Sequence, residues 1–205
     1  MNKTLLGLIA SCWLLALPAH AASPQLDAGA TVLAQVAGKP AREFSTTDFG
    51  RAANPQARSV LVPEEKAPAL LALVRAKLPP GLVAFVGVTN SLAMPKPAGV
   101  ELVVAPGRDQ FDILRAAKTD GINYDIDTEA IVAELRVWDR EFGIDIWQAE
   151  TDTVQLRLKS MPRNLPAFAQ RVYEFCPDIV DQGVGNVNAL AREIEKTKSI
   201  MLWWD

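Results

Sequence analysis

Residues 127–158, DTEAIVAELRVWDREFGIDIWQAETDTVQLRL, decide the fold class, because the hydrophobic period changes inside them. Up to Phe142 the apolar positions Ile131, Val132, Leu135, Trp138 and Phe142 recur at helical spacing. Asp127 stands where an N-cap belongs, and Glu129 complements the positive end of the helix dipole. Gly143 stops the helix. Beyond it the period becomes two. Residues 144–147 and 153–158 read as a hairpin, with Val154, Leu156 and Leu158 alternating with Gln155, Arg157 and Lys159. One face of that hairpin is core and the other is wet.

The same reading extends in both directions. Upstream, Val60-Leu61-Val62 is a short strand, and Pro68 opens a helix with Leu70, Leu71, Val74 and Leu78 on one side. Pro79-Pro80-Gly81 ends that helix, and residues 82–88 form a Val- and Phe-rich run of the buried-strand type. Residues 94–97 are a loop, residues 101–105 a strand, and residues 109–117 a helix with Phe111 and Leu114 on one face. Downstream, Phe168, Val172 and Phe175 mark a helix ended by Pro177. Asn186 caps a last helix carrying Val187, Leu190 and Ile194, and residues 199–204 form a terminal strand. Hairpins and helix-bridged connections together predict an α+β fold. The expectation is a single domain over 59–205, with helices packed on one face of a mixed, mostly antiparallel sheet. Residues 22–58 have no sustained period and read as an irregular lead-in, with one short helix near 31–36.

The N-terminus reads as a signal peptide over residues 1–21. Lys3 supplies the positive start, residues 5–17 the apolar stretch, and Ala19-His20-Ala21 the cleavage site. Lipidation of Cys12 is the competing reading. Cleavage after Ala21 removes the one histidine, His20, and leaves a single thiol, Cys176. A His-based triad, a His-ligated metal and an intrachain disulfide are thereby excluded. The formal charge of −3 argues against nucleic acid as a partner. These features predict a periplasmic or secreted protein with no stable membrane span after signal cleavage.

Four stretches carry a resemblance. They are residues 109–114 (DQFDIL), 120–129 (DGINYDIDTE), 173–185 (YEFCPDIVDQGVG) and the terminal Leu202-Trp203-Trp204-Asp205. Together they resemble the bacterial domain-of-unknown-function family 4253, over roughly residues 60–205. The resemblance implies a small α+β domain and no particular activity, so no catalytic residue is carried over from it. Many relatives lack an export signal, which makes the signal here a departure.

Chemistry must then be sought in the side chains themselves. Asp125, Asp127, Asp178, Asp181 and Asp205 lie in loops or at element ends, where sites concentrate. Brought together, they would bind a divalent cation through oxygen or form an acid/base pair. The plainer reading makes Asp127 a cap, and Asp178 and Asp181 acceptors in the turn after Pro177. No calcium-loop spacing is present. Asn123, Tyr124 and Gln182 stand beside these acids. Trp203 and Trp204 must face opposite sides of a strand, one in the core and the other either covered by a helix, as in a central strand buried on both sides, or exposed for contact with Tyr124 as its neighbour. Cys176 reads as a buried structural thiol, and Gly183-Val184-Gly185-Asn186 as a turn leading into a cap. The sequence thus predicts an exported, non-catalytic domain that binds a protein or small ligand, without a cofactor, metal ligand or catalytic residue. The alternative is a metal-assisted hydrolase built on the carboxylates, using a divalent cation.

Overall fold

The computed structural model describes residues 23–45, 53–87 and 99–205. The signal-like segment 1–21 with Cys12, the loop expected at 94–97, and Val88 lie outside the described residues.

The helix that decided the fold class is present as α4 (Thr128–Phe142). Asp127 accepts a hydrogen bond from the Ala130 amide at 2.8 Å, and Gly143 closes the other end. β5 (Ile144–Ala149) and β6 (Thr153–Leu158) follow as the expected hairpin, and β7 (Ser199–Trp203) pairs with β6. β2 (Ala53–Val62), β3 (Leu82–Val86) and β4 (Val100–Pro106) form the other half of the sheet, with α2 (Ala67–Lys77) between β2 and β3. α3 (Asp112–Ala117), α5 (Leu165–Phe175) and α6 (Val187–Thr197) complete the expected helices. With β1 (Arg42–Ser45) at one edge, the protein is an α+β domain on a seven-stranded mixed sheet of order β1-β2-β4-β3-β5-β6-β7. Among the described residues only the β3–β5 pair is parallel.

Two expectations are corrected. Residues 22–58 are not an irregular lead-in. They contain α1 (Pro24–Ala37), β1 (Arg42–Ser45) and part of β2. The local signals for α1 are complete: Ser23 caps its start, Pro24 occupies the first turn, and Gly38 closes it at φ 68°. Its face is short of large apolar residues because it seats on the sheet through Gly29. A methyl group there would come within 2.6 Å of Leu82 and 2.8 Å of Val104.

The second correction concerns the layers. Helices cover both faces of the sheet, not one. On one face Ile113, Ile131, Leu135, Trp138, Phe168, Val172, Leu190 and Ile194 from α3 to α6 pack on Phe85, Val103, Ile144, Ile146, Leu156 and Leu202. On the other, Leu33 of α1 and Leu71 and Val74 of α2 pack on Val60, Val62, Ala84, Val86, Leu102 and Val104. Residues 100–105 of β4 are therefore buried on both sides, which is why they lack polar alternation.

The β3–β5 junction has one registered pair, Val86 with Gln148. Away from that pair, side chains bond the strand backbones. Arg75 of α2 donates to the Ala84 carbonyl at 2.9 Å and the Ile146 carbonyl at 2.6 Å, and to Asp145 at 2.7 Å. From the opposite face, Gln110 donates to the Ile144 carbonyl at 3.2 Å and accepts from the Ile146 amide at 2.9 Å.

Candidate functional site

Pro177 ends α5 one residue after Cys176, and the chain turns through a single π-helical stretch, Ile179–Val184, before Gly185 at φ 85°. π-helical turns are rare and favour functional sites. This one delivers Asp178 into the interior, where it is 4% exposed. An ionised carboxylate there must be fully hydrogen-bonded. Its Oδ1 accepts from the Tyr124 hydroxyl at 2.7 Å and the Gln182 amide at 2.9 Å, and its Oδ2 accepts from the Asp205 backbone N–H at 2.9 Å. One side chain thus joins the loop before α4, the π-helical turn and the end of the chain.

The electrostatics follow from those bonds. Burial by itself would raise the pKa of Asp178, but the bonds from Tyr124, Asp205 and Gln182 prevail and hold it below the ordinary value. The same bond, then desolvation, pushes the Tyr124 hydroxyl up to about 12. At neutral pH the pair is a carboxylate accepting from a firmly protonated phenol. Neither partner is poised to exchange its proton, so the arrangement holds atoms in place rather than moving protons.

The surrounding residues are equally committed. Burial pushes the Cys176 thiol up to about 11, and it donates to the Trp203 carbonyl at 2.9 Å. A fully buried, protonated thiol is not a nucleophile. Trp204 is buried edge-on against Phe175, with ring centroids 5.6 Å apart, and its indole N–H donates to the Phe175 carbonyl at 3.2 Å. Trp203, the last residue of β7, is half-buried with Gly183 against its ring, and it packs on the same core as Trp204, which follows the strand. A methyl at Gly121 would come within 2.9 Å of the Trp204 ring, so this glycine lets the loop lie against the indole.

The structure therefore gathers Tyr124, Asp178, Gln182, Trp203, Trp204 and Asp205 into one cluster and disperses the other sequence candidates. Asp127 caps α4. Asp181 is exposed and accepts from the Tyr173 hydroxyl at 3.2 Å. Asn123 and Asp125 are exposed on the loop, Asp125 at φ 56°. The five carboxylates do not form one donor set. Among the described residues no three Asp, Glu, His or Cys side chains are grouped to hold a metal ion.

One residue escaped the sequence reading. Ile122 is 77% exposed, the highest value among the large apolar side chains of the described residues. It rides on a tightly bonded loop. Gly121 and Ile126 exchange both backbone hydrogen bonds, at 2.7 and 3.2 Å, and the Tyr124 amide donates to the Gly121 carbonyl at 2.8 Å. Periodicity does not report on a three-residue turn, so only its position in DGINYD marked it.

Comparisons with curated proteins and with solved structures return no match. A family profile described as Domain of unknown function (DUF4253) matches residues 101–205, beginning within β4 rather than near residue 60. It takes in every residue of the cluster around Asp178, and the chain belongs to that family.

Proposed function

We propose that this is an exported, non-catalytic binding domain, and that it contacts a protein partner through the Ile122–Tyr124 turn. The observation that carries the reading is the pairing of a highly exposed Ile122 with a rigid support beneath it. Burying a large apolar side chain that is already held out on a fixed backbone returns free energy with little further ordering cost. Tyr124, 37% exposed and anchored by its hydroxyl to Asp178, adds a pre-positioned aromatic of the type enriched at such contacts. The absence of a group poised for proton transfer in the cluster supports binding over catalysis.

Photo-crosslinking from position 123 in the mature chain tests the contact. A discrete adduct is expected with the wild-type flanking residues. Ile122→Asp should reduce its yield about tenfold or more, since burying an Ile side chain is worth ~1.5–3 kcal/mol. An unchanged adduct in Ile122→Asp, with unchanged melting, overturns the assignment of the contact. Export is tested by the mass of the processed protein, with Ala22 expected as the first residue. A full-length cytoplasmic product contradicts it.

A further inference from the structure

We propose that the cleft beside the β3–β5 junction binds a small organic anion carrying carboxylate or phosphate groups. The cleft measures about 640 Å³, within the range typical of small-molecule sites. Its wall is formed by the 78–84 segment, including Leu82 and Val83 of β3, and by Phe111. Arg75, which joins β3 to β5, and Gln110, which bonds the β5 backbone, also line it.

The cleft carries three acids and three bases, Arg75, Arg108 and Lys159, so its preference depends on which of them are already bonded within the protein. Three acids line the cleft, and each is already engaged. Asp109 pairs with Arg136 at 2.8 Å and accepts from the Phe111 amide at 2.9 Å. Asp139 accepts from the Ile144 amide at 2.9 Å. Asp145 pairs with Arg75 at 2.7 Å and lies 4.0 Å from Arg157. Two cations on the cleft, Arg108 and Lys159, are exposed and have no carboxylate partner among the described residues.

Both cations stand on fixed backbone. The Arg108 N–H donates to Asp112 at 2.7 Å, which fixes the turn between β4 and α3. The Lys159 N–H donates to the Gly143 carbonyl at 2.9 Å. Its aliphatic stem lies over Gly143, where a methyl would come within 3.0 Å of Cδ. Gly143 sits at φ 71°, so its conformation and the space above it both favour glycine. The bridging Arg75 and two uncommitted cations thus share one concave surface. A polyanion is a poor fit, because the chain as a whole carries −3. A small anion responds mainly to the local cations, within a screening length of ~8 Å at physiological salt.

Titration of the mature chain with citrate and, separately, with inorganic phosphate tests this, by calorimetry and by ¹⁵N NMR at constant ionic strength. Saturable binding of at least one anion is expected, with the Gln110 side-chain amide among the shifted signals. Comparing the two titrations decides between carboxylate and phosphate. Arg108→Ala combined with Lys159→Ala should weaken binding tenfold or more. Both side chains are exposed, so the melting temperature should stay near that of the wild type. Lys159→Glu alone should abolish binding. Failure of both anions to saturate at 0.15 M ionic strength, or undiminished binding by the double variant, overturns the proposal. Either outcome leaves the Ile122 contact untouched, because no residue is shared.

Discussion

Asp178 is the residue on which the gathered cluster depends. Two of its three donors come from elements distant in sequence and the third from its own turn, so deleting the carboxylate strands Tyr124, the Asp205 N–H and Gln182 together. Asp178→Ala is expected to cost about 2–4 kcal/mol, measured by urea denaturation, since buried polar groups left unpaired are expensive. Asp178→Asn should be milder, yet it sets an amide donor against at least one N–H. The pH dependence identifies the charge. The folded-state carboxyl titrates below its ordinary value of 3.8, so its contribution is complete above that pH and is lost as pH falls through the lower folded-state value. The stability gap between wild type and Asp178→Asn should therefore narrow as pH drops below about 4. A gap that stays constant to pH 2 would show that the carboxylate's charge plays no part.

At the scale of elements, the informative place is the junction of β3 and β5. Two parallel strands that meet at one registered pair need other groups to satisfy their backbone, and Arg75 and Gln110 supply them from opposite faces. Arg75 works there because a guanidinium forks, reaching two carbonyls and a carboxylate at once. Lysine has the charge without the fork. Arg75→Lys is expected to cost about 2 kcal/mol and to lower Tm by roughly 4–8 °C, read by thermal unfolding. An unchanged Tm would mean that water replaces the bridge at no cost. Periodicity locates α2 and places Arg75 near its end, but does not say which strand carbonyls it faces.

At the scale of the molecule, the family match and the fold do not have the same boundary. The matched residues 101–205 hold nearly all of β4 together with β5, β6 and β7. In the sheet, however, β3 stands between β4 and β5 and comes from outside the match. A fragment of residues 101–205 would expose the edges of β4 and β5 and the face that α1 and α2 cover. It is expected to lack a cooperative melt, whereas residues 23–205 should unfold in one transition, both followed by circular dichroism. A sharp transition in the fragment would show that β4 and β5 can close on each other.

What the sequence by itself determined is local. The period change at Gly143 established the α+β class, and the Asp127 and Asn186 caps are where their types and positions predict. These features depend on a few neighbouring residues, so the chain spells them out. The signals at Ser23, Pro24 and Gly38 were also present, but a helix seated through a glycine shows no strong apolar stripe. Tertiary structure alone decided that helices cover both faces, that Asp178 rather than the other acids becomes a buried hub, and that Arg75 and Gln110 meet at the β3–β5 junction. Each of these joins residues far apart in the chain, and such partners are chosen by the packing of whole elements, which no local pattern encodes.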